Sequence, residues 1–203
     1  MDKRIEWPII SNQQIEAFLQ KSIKNNKVGG TYVFSGPDNI GKSTIAKYFA
    51  KILLCENKQG SNPCGLCNSC KKFSVENYEL DEVGLSHSEY SFVSREKDKK
   101  NISIEQIREF IRRLNLSSFS GSYKIGIIKH ADTLSNEAAN ALLKTLEEPK
   151  AKVVIILVAS EEEALPATIL SRAQVLQFKP VKSEDIYEFL SEKLGVKREQ
   201  ARN

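Results

Sequence analysis

Eight consecutive residues, Gly36-Pro37-Asp38-Asn39-Ile40-Gly41-Lys42-Ser43, fit the pattern G-x-x-x-x-G-K-[ST] without a gap. Each fixed position has a chemical reason. Gly36 and Gly41 allow backbone angles that a side chain disfavours, so the loop can turn its N–H groups inward. Those groups, and the N-terminus of a helix that follows, suit a polyanion. The Lys42 ammonium is then placed for β and γ phosphates, and the Ser43 hydroxyl for a magnesium ion. The chemistry implied is nucleotide binding, ATP or ADP with Mg²⁺ as a possible companion, on a loop that also includes Pro37, Asn39 and Ile40. Thr44 reads first as the next helical residue.

Hydrolysis needs more than a phosphate loop. A carboxylate at the end of a neighbouring strand ordinarily holds the metal, and a further polar group orients water. The candidate strand, Lys124 to Ile128, is followed by Lys129 and His130. A lysine is electrostatically wrong as a magnesium ligand, and His130, a base in principle, reads first as a surface histidine that ends the strand. Asp132 comes three residues past the expected place and is expected to cap the loop before the next helix. Binding without efficient turnover is the expectation.

The four cysteines of the chain, Cys55, Cys64, Cys67 and Cys70, follow C-x8-C-x2-C-x2-C. Two-residue spacers, with Pro63 and Gly65 to turn the chain, suit four thiolates around one tetrahedral zinc ion. With no ligand position left open, such a site is structural.

These groups need a scaffold. Helical spacing is predicted over Asn12–Lys24 (Ile15, Phe18, Leu19 and Ile23 on one face), Lys42–Leu54, from Ser103 onward, and over Asn136–Glu148, stopped by Pro149. Ser103 and Gln106 fit a capping box, with Ile104, Ile107, Ile111 and Leu114 as the buried stripe. Strands are predicted at Thr31–Ser35, Tyr78–Val83, Tyr123–Lys129, Val153–Ala159 and Val175–Phe178, and a surface loop at Gly84–Asn101. The apolar run VVIILVA suits a central parallel strand covered on both faces. Alternating strands and helices imply an α/β fold: a parallel sheet with helices on both faces and a zinc-binding insertion at 55–70. Ligands of such sheets bind at the carboxyl ends of the strands.

Composition excludes little but agrees. The chain has 203 residues, 40% hydrophobic and 28% charged, with net charge +4. That balance is too mild to argue for a protein that coats DNA. No apolar run is long enough for a membrane span, and the start, MDKRIEWPII, lacks the features of a secretory leader, so a cytoplasmic location and no membrane partner are expected.

The stretch from Ala138 to Pro149, AANALLKTLEEP, with LVAS at 157–160 and LPATILSRA at 165–173, closely resembles clamp-loader subunits of the AAA+ superfamily, those of bacterial DNA polymerase III. The resemblance covers about residues 9–180, with the phosphate loop and cysteines in the family's order. It implies an AAA+ domain over 1–179 and the beginning of a small helical lid over 180–203, the family's C-terminal collar domain lying outside this sequence. It implies partners too: gamma/tau and delta subunits, and through the complex a sliding clamp and primed DNA. Arg172 matches the family's arginine finger, which reaches into a neighbour's ATP site, although Ala173 stands where the family's motif has cysteine. Ser160 matches the residue that senses the γ phosphate, with capping of the turn at Glu161–Glu163 as the alternative. By family position the resemblance also offers Trp7, Pro8 and Ile10 as neighbours of adenine, and core packing explains them equally well. Motor subunits carry Asp-Glu where Lys129-His130 stand, whereas the delta-prime type lacks that pair and keeps the finger. The resemblance therefore favours a delta-prime-like component of the nucleotidyltransferase holoenzyme, with an ATP-hydrolysing gamma/tau-like motor as the alternative.

Overall fold

Side-chain alternation along three strands divides the interior in two. In β1 (Thr31–Ser35), Tyr32 and Phe34 enter one apolar cluster and Val33 the other. In β4 (Val153–Val158), Val154, Ile156 and Val158 join the first cluster, while Val153, Ile155 and Leu157 join the second. β3 (Lys124–Lys129) does the same with Ile125 and Ile127 against Ile128. A sheet apolar on both faces must be covered on both, and helices do this. α1 (Gln13–Lys24) and α2 (Lys42–Leu54) pack on the first face. α4 (Ile104–Asn115), α5 (Asn136–Glu147) and the short α6 (Ala167–Leu170) pack on the second. The computed structural model describes residues 7–73, 87–116, 123–148 and 152–194.

With β2 (Tyr90–Val93) and β5 (Gln174–Gln177), the sheet has five parallel strands in the order β2-β3-β4-β1-β5. The insertion of β4 between β1 and β3 matters for function. Val158 is in register with both Phe34 of β1 and Lys129 of β3. The carboxyl ends of these strands therefore release the phosphate loop, Ser160 and the Lys129-His130 pair side by side.

Local chemistry sets the element ends. The Ser103 hydroxyl accepts from Gln106 N–H, and the Gln106 side chain accepts from Ser103 N–H, the predicted capping box. Asn12, at φ 64°, uses its amide differently, bonding both the N–H and the carbonyl of Lys179 and so pinning the start of α1 to the chain leaving β5. Beyond the sheet, α7 spans Ser183–Leu194.

Several expectations are corrected. β2 lies inside the stretch 84–101 read as a loop. It is a four-residue edge strand, too short for its alternation to stand out between polar neighbours. Phe18 is 39% exposed, because the buried face of α1 is the narrower Ile15-Leu19-Ile23 stripe. In α4, Phe110 is buried beside Ile107 and Leu114, whereas Ile104 and Ile111 are only half-buried. The strand expected at 78–83 and the helix stop at Pro149 lie outside the described residues.

Phe110 explains a glycine within β3. A Cβ built on Gly126 would stand 2.3 Å from Phe110 Cζ and 3.0 Å from Leu114 Cδ1. Both neighbours are buried, so neither can swing away into solvent. Gly126→Ala is expected to destabilise the domain by about 1–3 kcal/mol through overpacking. A urea titration should show a lower midpoint at an unchanged slope. A second change, Phe110→Leu, should recover part of the loss, because the two sites share one volume.

Candidate phosphate site and cysteine cluster

The loop between β1 and α2 takes the shape its glycines allow. Gly36 has φ 133°, and a Cβ there would lie 2.3 Å from the carbonyl oxygen of Phe178, so glycine is required twice over. Gly41 is left-handed at φ 90° and caps α2, and Asn39 is left-handed at φ 60°. The loop opens on a cleft of about 540 Å³ at the carboxyl ends of the strands. Of the residues expected to bind phosphate, Asn39, Gly41, Lys42, Ser43, Thr44 and Ser160 line it. Thr44 thus belongs to the cleft as well as to the helix. Gly36, Pro37 and Ile40 shape the loop without lining the cleft.

Lys42 is buried, and its ammonium donates to the Gly36 carbonyl at 2.5 Å and to the Pro37 carbonyl. Burial pushes its pKa down, and the carboxylates of Asp38 and Asp132 oppose that shift. The Ser160 hydroxyl donates to Asp38 Oδ1 at 2.5 Å and does not cap the turn after it, where Glu161 holds the cap position. The link spans β1 and β4, so a change at Ser160 is felt in the phosphate loop.

Lys129 and His130, at the end of β3, line the same cleft. His130 is left-handed at φ 57°. Burial, and next the Lys129 charge, hold its pKa below the ordinary histidine value, so the ring is neutral at pH 7. Asp132 is not a helix cap: Ser135 caps α5 by accepting from Ala138 N–H, and Asp132 lies in the 3-10 turn Ala131–Thr133 with Oδ1 buried and without a hydrogen-bond partner. The cleft holds one further cation that sequence reasoning missed. Lys47 of α2 is 1% exposed, lines the cleft, and has its ammonium 5.4 Å from the ring centre of Phe92. A signal existed: AKYFAKILL is apolar around the whole helix, so lysines in it must enter the interior.

Arg172 does not line this cleft. Its guanidinium pairs with Glu147 Oε1 at 2.7 Å and donates to the Thr168 carbonyl at 2.9 Å. Trp7 is a core residue, edge-on to Tyr48 at 5.1 Å, and Ile10 is exposed.

The cysteine cluster closes around the end of α2. Cys55 directly follows that helix, and Cys67 caps α3 (Asn68–Lys72), accepting from Cys70 N–H at 3.3 Å. All four cysteines are free, and their sulfurs lie within 4.8 Å of one another, with Cys64–Cys70 at 3.9 Å and Cys55–Cys67 at 4.0 Å. A tetrahedron of sulfurs about 2.3 Å from a zinc ion has edges of about 3.8 Å, so the donor set fits. N–H groups of Cys67 and Leu66 lower the Cys64 thiol to about 6, whereas burial raises those of Cys55 and Cys70. Lys51, i−4 from Cys55 on α2 and 3% exposed, lies in the field of all four sulfurs. Its ammonium offsets negative charge that would otherwise collect in a buried place. Outside the cluster, His87 Nδ1 accepts from Glu89 N–H at 3.1 Å, which leaves Nε2 to donate to the Ser69 hydroxyl at 3.0 Å. Ser69 in turn donates to Glu56 at 3.0 Å, so the cysteine module is tied to the entry of β2.

Strand order, phosphate loop and cleft define a P-loop α/β domain of the AAA+ class. Solved structures agree on the fold: a DNA polymerase III gamma subunit-related protein from Thermotoga maritima (TM-score 0.54, 21% identity, 90% of this chain and 50% of that one). The RuvB Holliday junction branch migration motor of the same organism matches likewise (TM-score 0.54, 12% identity, 89% and 49%). Residues 11–182 match the family described as DNA polymerase III, delta subunit, and the chain belongs to this clamp-loader family. Among relatives, DNA polymerase III subunit tau of Bacillus subtilis is 33% identical over 178 residues, 88% of this chain and 30% of that protein. Subunit tau of Escherichia coli is 30% identical over 179 residues, 88% and 26%. The chain thus spans less than a third of the length of these relatives. Among the described residues no helix is long and apolar enough to cross a membrane.

Proposed function

We propose that this chain is a delta-prime-like subunit of a bacterial clamp loader. It binds ATP or ADP on the 36–44 loop, turns it over weakly or not at all, and holds a structural zinc ion on its four cysteines. Arg172 reaches the nucleotide site of a neighbouring gamma/tau-type subunit, while the assembled cytoplasmic complex places a sliding clamp on primed DNA. Residues 1–179 form the AAA+ domain, and the helix Ser183–Leu194 opens a lid domain over 180–203. One observation carries the reading: the cleft under the phosphate loop is also lined by Lys129 and His130, at the end of β3, instead of acids. With no metal carboxylate at that place, phosphate is held but the metal-assisted activation of water is weak or lost. Relatives named tau and gamma favour a second reading, an ATP-hydrolysing motor of the same complex.

Turnover by the purified chain separates the two. Phosphate release that stays far below about 1 s⁻¹ is expected. Release at or above that rate, abolished by Lys42→Ala, would establish the motor. The same variant reports on binding. Lys42 supplies a charge-assisted contact to phosphate, so Lys42→Ala should weaken ATP affinity roughly 10- to 100-fold in a fluorescence titration.

A further inference from the structure

We propose that the cleft takes its nucleotide without magnesium, the ammonium groups of Lys129 and Lys47 together standing in for the divalent cation. This rests on the nucleotide reading above and specifies the ligand: the metal-free polyphosphate of ATP or ADP.

The donor set argues first. P-loop ATPases hold Mg²⁺ between the loop serine or threonine and an acid on a neighbouring strand. Here Ser43 is present, but among the described residues lining the cleft the one carboxylate is Asp38, and it accepts the Ser160 hydroxyl at 2.5 Å. Asp132 and Glu162 are close by in the fold, yet neither lines the cleft: Asp132 is in the turn after His130, and Glu162 accepts from Ser35 at 3.3 Å. Magnesium is a hard cation that needs oxygen ligands, and the wall it would face presents Lys129 and the neutral ring of His130. The residues do not fit the ion.

Charge argues second. A polyphosphate entering this cleft meets Lys42, Lys47 and Lys129 as well as the N-terminus of α2. Lys129 and Lys47 together supply the formal charge of one divalent ion, in addition to the loop lysine. Their placement is fixed by the sheet and by the helix: Lys129 is in register with Val158 at the strand ends, and Lys47 is held beside Phe92. A dication added to this set would be repelled by the cations that have taken over its task.

The test is calorimetric titration of ATP, and separately ADP, into the whole chain in excess MgCl₂ and in chelator-free buffer cleared of magnesium before the protein is added, so that the cysteine cluster keeps its metal. Kd without magnesium is expected to equal that in MgCl₂ within roughly threefold, or to be tighter. Lys129→Met should weaken binding without magnesium by roughly 10- to 100-fold, and Lys129→Arg, which keeps the charge, should lose much less. Binding in MgCl₂ that drops tenfold or more without magnesium would overturn the proposal while leaving nucleotide binding intact. So would wild-type affinity of a folded Lys129→Met chain without magnesium. Absence of binding in both buffers would remove the nucleotide reading itself, and this inference with it.

Discussion

On the proposed reading, a complex assembled with Arg172→Ala is expected to lose roughly 10³- to 10⁵-fold in ATP turnover at the interface Arg172 would complete, the range associated with arginine fingers. Arg172 is absent from its own chain's phosphate cleft, so its loss should leave that chain's nucleotide affinity as it was. Its ion pair with Glu147 is partly exposed, 35% and 48%, and such pairs contribute less than about 1 kcal/mol to stability. The chain should therefore fold and assemble. The pair and the Thr168 carbonyl hold the guanidinium at one place on the surface. A neighbour's phosphate can replace Glu147 as its partner at little cost. Lysine is no substitute, because it lacks the planar fork that meets several phosphate oxygens together. Arg172→Lys should thus behave nearly as Arg172→Ala in a steady-state assay of the reconstituted complex. Unchanged turnover with Arg172→Ala would remove the residue from this role.

Much of the candidate phosphate site was legible because polyanion binding restricts residue types at fixed spacing. Gly36, Gly41, Lys42 and Ser43 could be placed before any strand was paired, and the left-handed backbone at Gly41 is where the pattern requires it. α2 runs over Lys42–Leu54 as expected, and the Ser103-Gln106 box marks the start of α4, because both are local events. What failed was not local. Lys47 and Lys51 are charged side chains, which default to the surface in any residue-by-residue reading. Their burial follows from α2 being covered on all sides, by the sheet, the cysteine module and β2. Asp132 looked like a cap by its place in sequence, but Ser135, three residues later, has the better geometry. β2 needed its partner to be seen: Tyr90–Val93 is defined by pairing with Ile125–Ile128 and carries little periodicity alone.

Losing one sulfur should cost the protein more than any of the core changes above. Cys70 is 1% exposed and sits in α3, whose cap is the neighbouring Cys67. Elemental analysis should give about one zinc per wild-type chain, and Cys70→Ser should fall well below that. Structural zinc sites carry an apparent binding free energy of about 10–16 kcal/mol that is shared with folding, so removal of a ligand is expected to loosen the module and lower the melting temperature by several degrees or more. Chelation of the wild-type chain should produce the same shift, and one that appears only with the mutation would argue against a metal. Lys51 gives a sharper test. With the cluster intact its buried ammonium faces negative sulfurs, and loss of metal and thiolates takes that compensation away from a buried charge. Lys51→Met should therefore destabilise the wild-type chain and stabilise, or at least not further harm, the Cys70→Ser chain. Additive losses in that double-mutant cycle would show that Lys51 and the sulfurs do not act on each other, and that the lysine is buried for some other reason.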